Sequence, residues 1–222
     1  MKNKIGKVLI GIGILLVLSA VFMLARNRYE DNRAGESAAQ AMDMIRGYMA
    51  GTVAEDTPQT GTTITPGPTA PITPTPTVRP DAPTKAPDIT RPMKEVVLNG
   101  NSYIGYLSIP DKGMELPVLS GWDYAKLKIA PCRYSGTTFA DNLVIAGHNY
   151  RKHFNPLQDI ELGTEIFFTD MDGAVIRYVV ADVEVLKPSA IEEMIESEWD
   201  LTLFTCTYGG KTRMTIRCRR KP

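Results

Sequence analysis

Residues 201–218 read LTLFTCTYGGKTRMTIRC. Apolar and Thr residues alternate over 201–205, the glycine-bearing turn Tyr208-Gly209-Gly210 follows, and a second alternating run covers 212–218. Period-two alternation on both sides of a Gly turn predicts two strands with a short connection. Such a hairpin sets Cys206 at the end of one strand and Arg213 at the start of the next, close in space. A thiol beside a fixed cation is a thiol whose thiolate is favoured. Proton handling needs another group. His148, one of only two histidines, ends a separate apolar run over 142–147. Three chemically useful groups thus fall at three strand ends.

Outward from this hairpin, residues 93–222 have a globular composition and a common domain size. Residues 103–109 and 114–119 read as strands around a Pro110–Gly113 turn, with Pro117 marking an edge or bulge. Residues 122–129 have helical spacing, and 142–147 is a continuous apolar run, hence a buried strand. Residues 154–162 are loop or short helix. Residues 165–169 and 174–186 form a hairpin across Asp170-Met171-Asp172-Gly173. Ser189, with Glu192 in capping-box position, predicts a short helix to Trp199. Many short strands and little helix predict an all-β domain, closed or sandwiched.

The first 92 residues differ in kind. Residues 1–28 read as an uncleaved membrane anchor rather than a signal peptide: 18 uncharged residues, Val8 to Ala25, suffice to span a bilayer as a helix, and Ser19-Ala20-Val21 is a weak cleavage site. Lys2, Lys4 and Lys7 precede this run and Arg26, Arg28 and Arg33 follow it, so basic flanks do not choose the orientation. Residues 29–50, without Pro, read as a marginal, solvated juxtamembrane helix. Residues 51–92 hold ten prolines and twelve threonines, a composition that cannot bury a core. It predicts an extended linker reaching on the order of 130 Å, a stalk lifting the domain off a membrane. Inside it, Thr57-Pro58-Gln59-Thr60-Gly61 stands apart by its Pro-x-Thr-Gly core.

Lys plus Arg equals Asp plus Glu at 25 each among 222 residues, so net charge points to no nucleic acid or other polyanion. The three cysteines are too few for a disulfide framework, and their odd number leaves a free thiol. Cys132 and Cys218 could pair. The bland reading of Cys206 is a small buried apolar residue, and that of His148 a surface-loop residue. His153, in a basic loop, reads as bland. The spacing of the histidines implies no metal site, and Asp170-Met171-Asp172-Gly173 lacks the rest of a calcium loop.

In combination these segments resemble the sortases, membrane-anchored cysteine transpeptidases of Gram-positive surfaces. Thr202-Leu203-Phe204-Thr205-Cys206 matches the family's TLxTC signature, and Arg213 its active-site arginine. Leu143 to Asn149 matches the strand delivering its histidine, and Ile109-Pro110 with Leu116-Pro117-Val118 an early strand pair. The resemblance implies a closed eight-stranded β-barrel with short helices over 93–222. It also implies Cys206 as nucleophile, His148 as acid–base, Arg213 as oxyanion and substrate support, Thr205 in substrate binding, and no cofactor. Partners would be LPxTG-like sorting-signal peptides, cleaved between Thr and Gly, and an amine of a peptidoglycan precursor or pilin. The chain would be single-pass with its catalytic domain extracellular. An extracellular Cys/His peptidase and a non-catalytic stalked surface-binding module are the alternatives.

Overall fold

The computed structural model describes residues 2–55 and 90–222. Nine strands follow a long helix in chain order: α1 Lys2–Met49, β1 Val96–Leu98, β2 Asn101–Ile109, β3 Met114–Leu119, β4 Cys132–Ser135, β5 Leu143–Gly147, β6 Glu165–Asp170, β7 Val175–Leu186, α2 Ile191–Ile195, β8 Leu201–Cys206 and β9 Arg213–Lys221. Neighbours run β1-β2-β3-β4-β5-β8-β9-β7-β6, and β6 returns to pair with β2. Eight strands therefore close the barrel, and β1 is a short extension on the outer side of β2. Closure needs a glycine. At Gly105 (φ 146°) the edge of β2 opposite β3 passes from β1 to β6, and a Cβ there would lie 2.1 Å from the Thr169 carbonyl oxygen.

The barrel interior is filled by alternate residues of these strands, including Ile104, Leu107, Leu143, Ile145, Phe168, Tyr178, Leu203 and Ile216. Pro117 is tolerated because β3 pairs fully with β2 but meets β4 only at Leu119 opposite Cys132. Residues 122–129, where a helix is expected, make only a 3₁₀ turn at Lys126–Lys128, with Asp123 accepting from the Lys126 amide at 2.8 Å. An aspartate that caps the backbone locally competes with a helix. The capping box at Ser189 does not form: α2 starts after Ala190, has no side-chain cap, and stops at Ile195.

The largest departure is α1. Residues 30–49 are not a separate solvated helix but the continuation of the apolar one. Asp31, Ala34, Ala38, Ala41, Met42 and Ile45 recur every three or four residues and are buried against the barrel. Ala38 joins the barrel core, and Ala41 and Ile45 join a second core with Val96, Leu98, Tyr103 and Leu119. Alanine at three of the six positions lets the helix backbone come close. Burial of Met42 and Ile45 alone contributes about 3–6 kcal/mol. Arg46 pairs with Glu115, and the Asp31 carboxylate accepts from the Arg151 amide at 2.7 Å. Gly51, at φ 72°, stops the helix. The part from Val8 to Leu24 is exposed along its length and is long and apolar enough to cross a membrane.

This docking overturns the stalk reading. The barrel is seated on α1, upstream of the Pro/Thr-rich segment. Beyond the helix, Glu55 Oε1 accepts from the Val97 amide at 3.3 Å, and Arg91 reaches Asp172 at 3.4 Å. Both flanks of the segment thus return to the barrel, which is seated on α1 and not at the end of a stalk. Most of it, with Thr57-Pro58-Gln59-Thr60-Gly61, lies outside the described residues.

Candidate active site

Strands β5, β8 and β9 lie side by side. β5 and β8 run parallel with Gly147 opposite Thr205. β8 and β9 run antiparallel with Cys206 opposite Arg213. His148, one residue past β5, and Cys206, the last of β8, therefore leave the sheet at the same end, with Arg213 on the far side of the cysteine. The hairpin expected from residues 201–218 has this register, and it assembles the three groups across three neighbouring strands.

Cys206, Thr205 and Arg213 line a cleft of about 280 Å³, with Gly147, Pro188, Ile191 and Met194. Its wall is aromatic: Trp122 stands 5.3 Å from Tyr134, which meets Phe204 edge-on at 5.2 Å. An apolar cleft with a few polar groups at its floor suits an extended peptide segment. The Thr205 hydroxyl is buried and, among the described residues, has no hydrogen-bond partner. The Arg213 guanidinium donates to the carbonyls of Gly210 and Thr212, both at 3.1 Å, so the short turn orients it. The turn itself is pinned where Thr207 and Thr212 hydroxyls meet at 2.7 Å.

His148 is half-buried, and its ring stacks on Tyr150 at 3.7 Å and 8°. Burial first, then the Lys128 ammonium, pull its imidazole below the usual histidine range, against Glu30 and Asp31. The ring is therefore neutral at pH 7, able to take a proton. Its loop is held from below by α1, through Asp31 and through His153, whose Nε2 lies 3.4 Å from the Ala34 carbonyl oxygen. His153 is not a surface residue: it is fully buried, and burial depresses its pKa to about 4. Sequence reasoning missed Asp31 and Tyr150. Nothing local connects Asp31 to a loop 120 positions later.

Gly147 sits between the histidine and the core. A Cβ there would lie 2.2 Å from the fully buried Phe154 ring. Gly147→Ala is expected to destabilise the barrel by about 1–3 kcal/mol, because the ring must move within a packed interior. Calorimetry checks this. An unchanged melting temperature would mean that Phe154 is not packed on β5.

All three cysteines are free. Cys132 and Cys218 are fully buried, and burial drives both thiols upward, Cys132 to about 12. Only Cys206 reaches a cleft. Among the described residues no group of three His, Cys, Asp or Glu side chains could hold a metal ion.

The family model described as "Sortase domain" matches residues 107–221. Sortase A from Corynebacterium diphtheriae is similar in structure, with 25% identity and a TM-score of 0.51, over 55% of this chain and 62% of that one. The match thus spans less than two thirds of that protein. A lid mutant of sortase A from the same organism gives 25% identity and a TM-score of 0.50, over 55% and 72% of the two chains. Sortase C from Clostridium perfringens SM101 gives 24% and 0.48, over 54% and 70%. No curated protein matches significantly.

Proposed function

Because this chain belongs to the sortase family, we propose that it is a membrane-anchored cysteine transpeptidase. Its substrate is an LPxTG-like sorting signal, cut between Thr and Gly, and the acyl group passes to an amine of the cell wall or a pilin. The observation that supports this reading is the convergence of His148, Cys206 and Arg213 at one end of three adjacent strands, with Cys206 and Arg213 lining a cleft of about 280 Å³.

The Cys206 thiol attacks the Thr carbonyl carbon as its proton moves to neutral His148. The C–N bond breaks, His148 returns that proton to the departing glycine amine, and a thioacyl-enzyme remains. An incoming amine attacks the thioester, His148 takes the proton, and the Cys206 sulfur leaves and is reprotonated. Arg213 opposes charge on the tetrahedral oxygen. Thr205 bonds the substrate backbone. The apolar part of α1 anchors the chain by a single pass, with the barrel outside the cell.

The full-length protein in detergent, given a sorting-type peptide with and without a free amine, tests the reading. Amine-dependent ligation supports it. Cleavage indifferent to amine points to a peptidase, and no turnover to a binding module.

Two arginines on β9 divide structure from chemistry. Arg213→Lys is expected to cost roughly 10²–10³ in kcat with an unchanged melting temperature, because ammonium cannot present a planar fork. Arg217, four residues along the same face of β9, is buried and does not line the cleft. It reaches Glu184 at 2.6 Å, Thr202 Oγ1 at 3.0 Å and the Glu193 carbonyl at 2.7 Å. Arg217→Ala is expected to lower stability by about 2–3 kcal/mol while turnover per folded molecule holds. Measuring melting and kcat on both variants decides the matter; the reverse pattern would contradict the proposed division.

A further inference from the structure

We propose that a second cleft, between α1 and residues 124–129, is a docking site for the anionic headgroup of a membrane lipid. The inference rests on the reading of α1 as a membrane anchor. The cleft has a volume of about 720 Å³. Three cations converge on it from two distant segments: Arg26 and Arg33 of α1, and Lys128 of the loop before β4. Its single acidic lining residue, Glu30, already faces Arg26 at 3.2 Å. Among the described residues, Arg33 and Lys128 have no acidic partner. The protein therefore leaves a concave, net positive surface without an anion of its own.

Its position selects the kind of anion. The uncharged run of α1 ends at Ala25, and Arg26 follows directly. Arg33 stands eight residues beyond Ala25, about 12 Å along the axis at about 1.5 Å per residue. A headgroup layer extends about 5–8 Å past the hydrocarbon. The cleft thus begins at headgroup depth and opens just above it. Two tyrosines flank it with their rings largely uncovered, Tyr29 at 66% and Tyr124 at 78% exposed. Tyrosines in this state suit an interface that wets the hydroxyl and covers the ring. A phosphate entering here comes on a lipid, because the exposed apolar length of α1 borders the cleft.

The site also adjoins the chemistry. Tyr150, stacked on His148, lines this cleft, and Tyr124 lines both this one and the cleft of Cys206. A lipid held here fixes how the peptide cleft is tilted towards the leaflet.

The test uses the full chain in mixed micelles of phosphatidylcholine and phosphatidylglycerol, with lipid retention read by native mass spectrometry. The wild type is expected to retain phosphatidylglycerol in preference to phosphatidylcholine. Arg33→Gln with Lys128→Gln should reduce that preference roughly tenfold or more, at about fivefold per cation near an anionic surface. Arg28→Gln, just beyond the span but outside the cleft lining, should keep it. Equal retention of the two lipids, or an equal loss in Arg28→Gln, would overturn the proposal, leaving only general surface charge. Displacement by excess inorganic phosphate or glycerophosphate would also overturn it, in favour of a soluble ligand. Flotation with vesicles is the separate check on the anchor: a chain that stays in the soluble fraction defeats that reading, whatever the headgroup result.

Discussion

Alanine at Cys206 is expected to abolish both cleavage and ligation, a loss of roughly 10⁴–10⁶ in kcat. The magnitude follows from the proposed covalent step, which no other thiol can take over. Cys132 and Cys218 are sealed in the core, with their thiols held protonated by burial. Their alanine variants should lose some stability through the small cavities created, yet turn over peptide normally. His148→Ala should fall by roughly 10²–10⁴, the range of general acid–base catalysis. Mass spectrometry of the peptide products measures all four variants. Substantial turnover by Cys206→Ala would falsify the assignment of the nucleophile.

Removing residues 1–50 is expected to lower the melting temperature by roughly 10–20 °C, or to leave a chain that aggregates. The loss of Met42 and Ile45 contacts alone is about 3–6 kcal/mol, against a total stability of about 5–15 kcal/mol for a domain. At this size each kcal/mol moves the midpoint by about 2–4 °C. The deletion also uncovers Val96, Leu98 and Leu119, and takes away the Asp31 carboxylate that holds the Arg151 amide. A chain beginning at Arg26 is the control. It lacks the apolar run but keeps every buried residue of α1, and should melt like the full-length protein. If chains starting at residues 26 and 51 melt alike, the docking of α1 contributes nothing to the fold.

The parts of this structure that could be read from residues alone are those encoded by local pattern. The hairpin of β8 and β9 follows from strict alternation around Tyr208-Gly209-Gly210, and β5 from an uninterrupted apolar run. Closure into eight strands came only through the family resemblance, since no alternation states which strand meets β6. The docked half of α1 was illegible for a different reason. Half of its contact stripe is alanine, and alanine satisfies a helix whether buried or solvated. Its partners, on β1, β2 and β3, lie beyond a Pro/Thr-rich segment that reads as a separation. Strand β4 was missed because four residues, one of them an arginine, carry too little periodicity to register.

The unbroken run of α1 from its exposed apolar length into the barrel has a geometric consequence. For a chain anchored as proposed, the helix transmits rotation as well as height. Each residue inserted between Arg26 and Glu30 would turn the barrel by about 100° around the helix axis and raise it by about 1.5 Å. One extra alanine would therefore leave the cleft intact but swing its mouth to another compass bearing over the membrane. Seven would bring the bearing back to within about 20°, some 10 Å higher. Bearing and altitude can thus be varied apart in one series of insertions. A membrane-borne amine would sense the first with a period of one helical turn, whereas a soluble amine would sense neither.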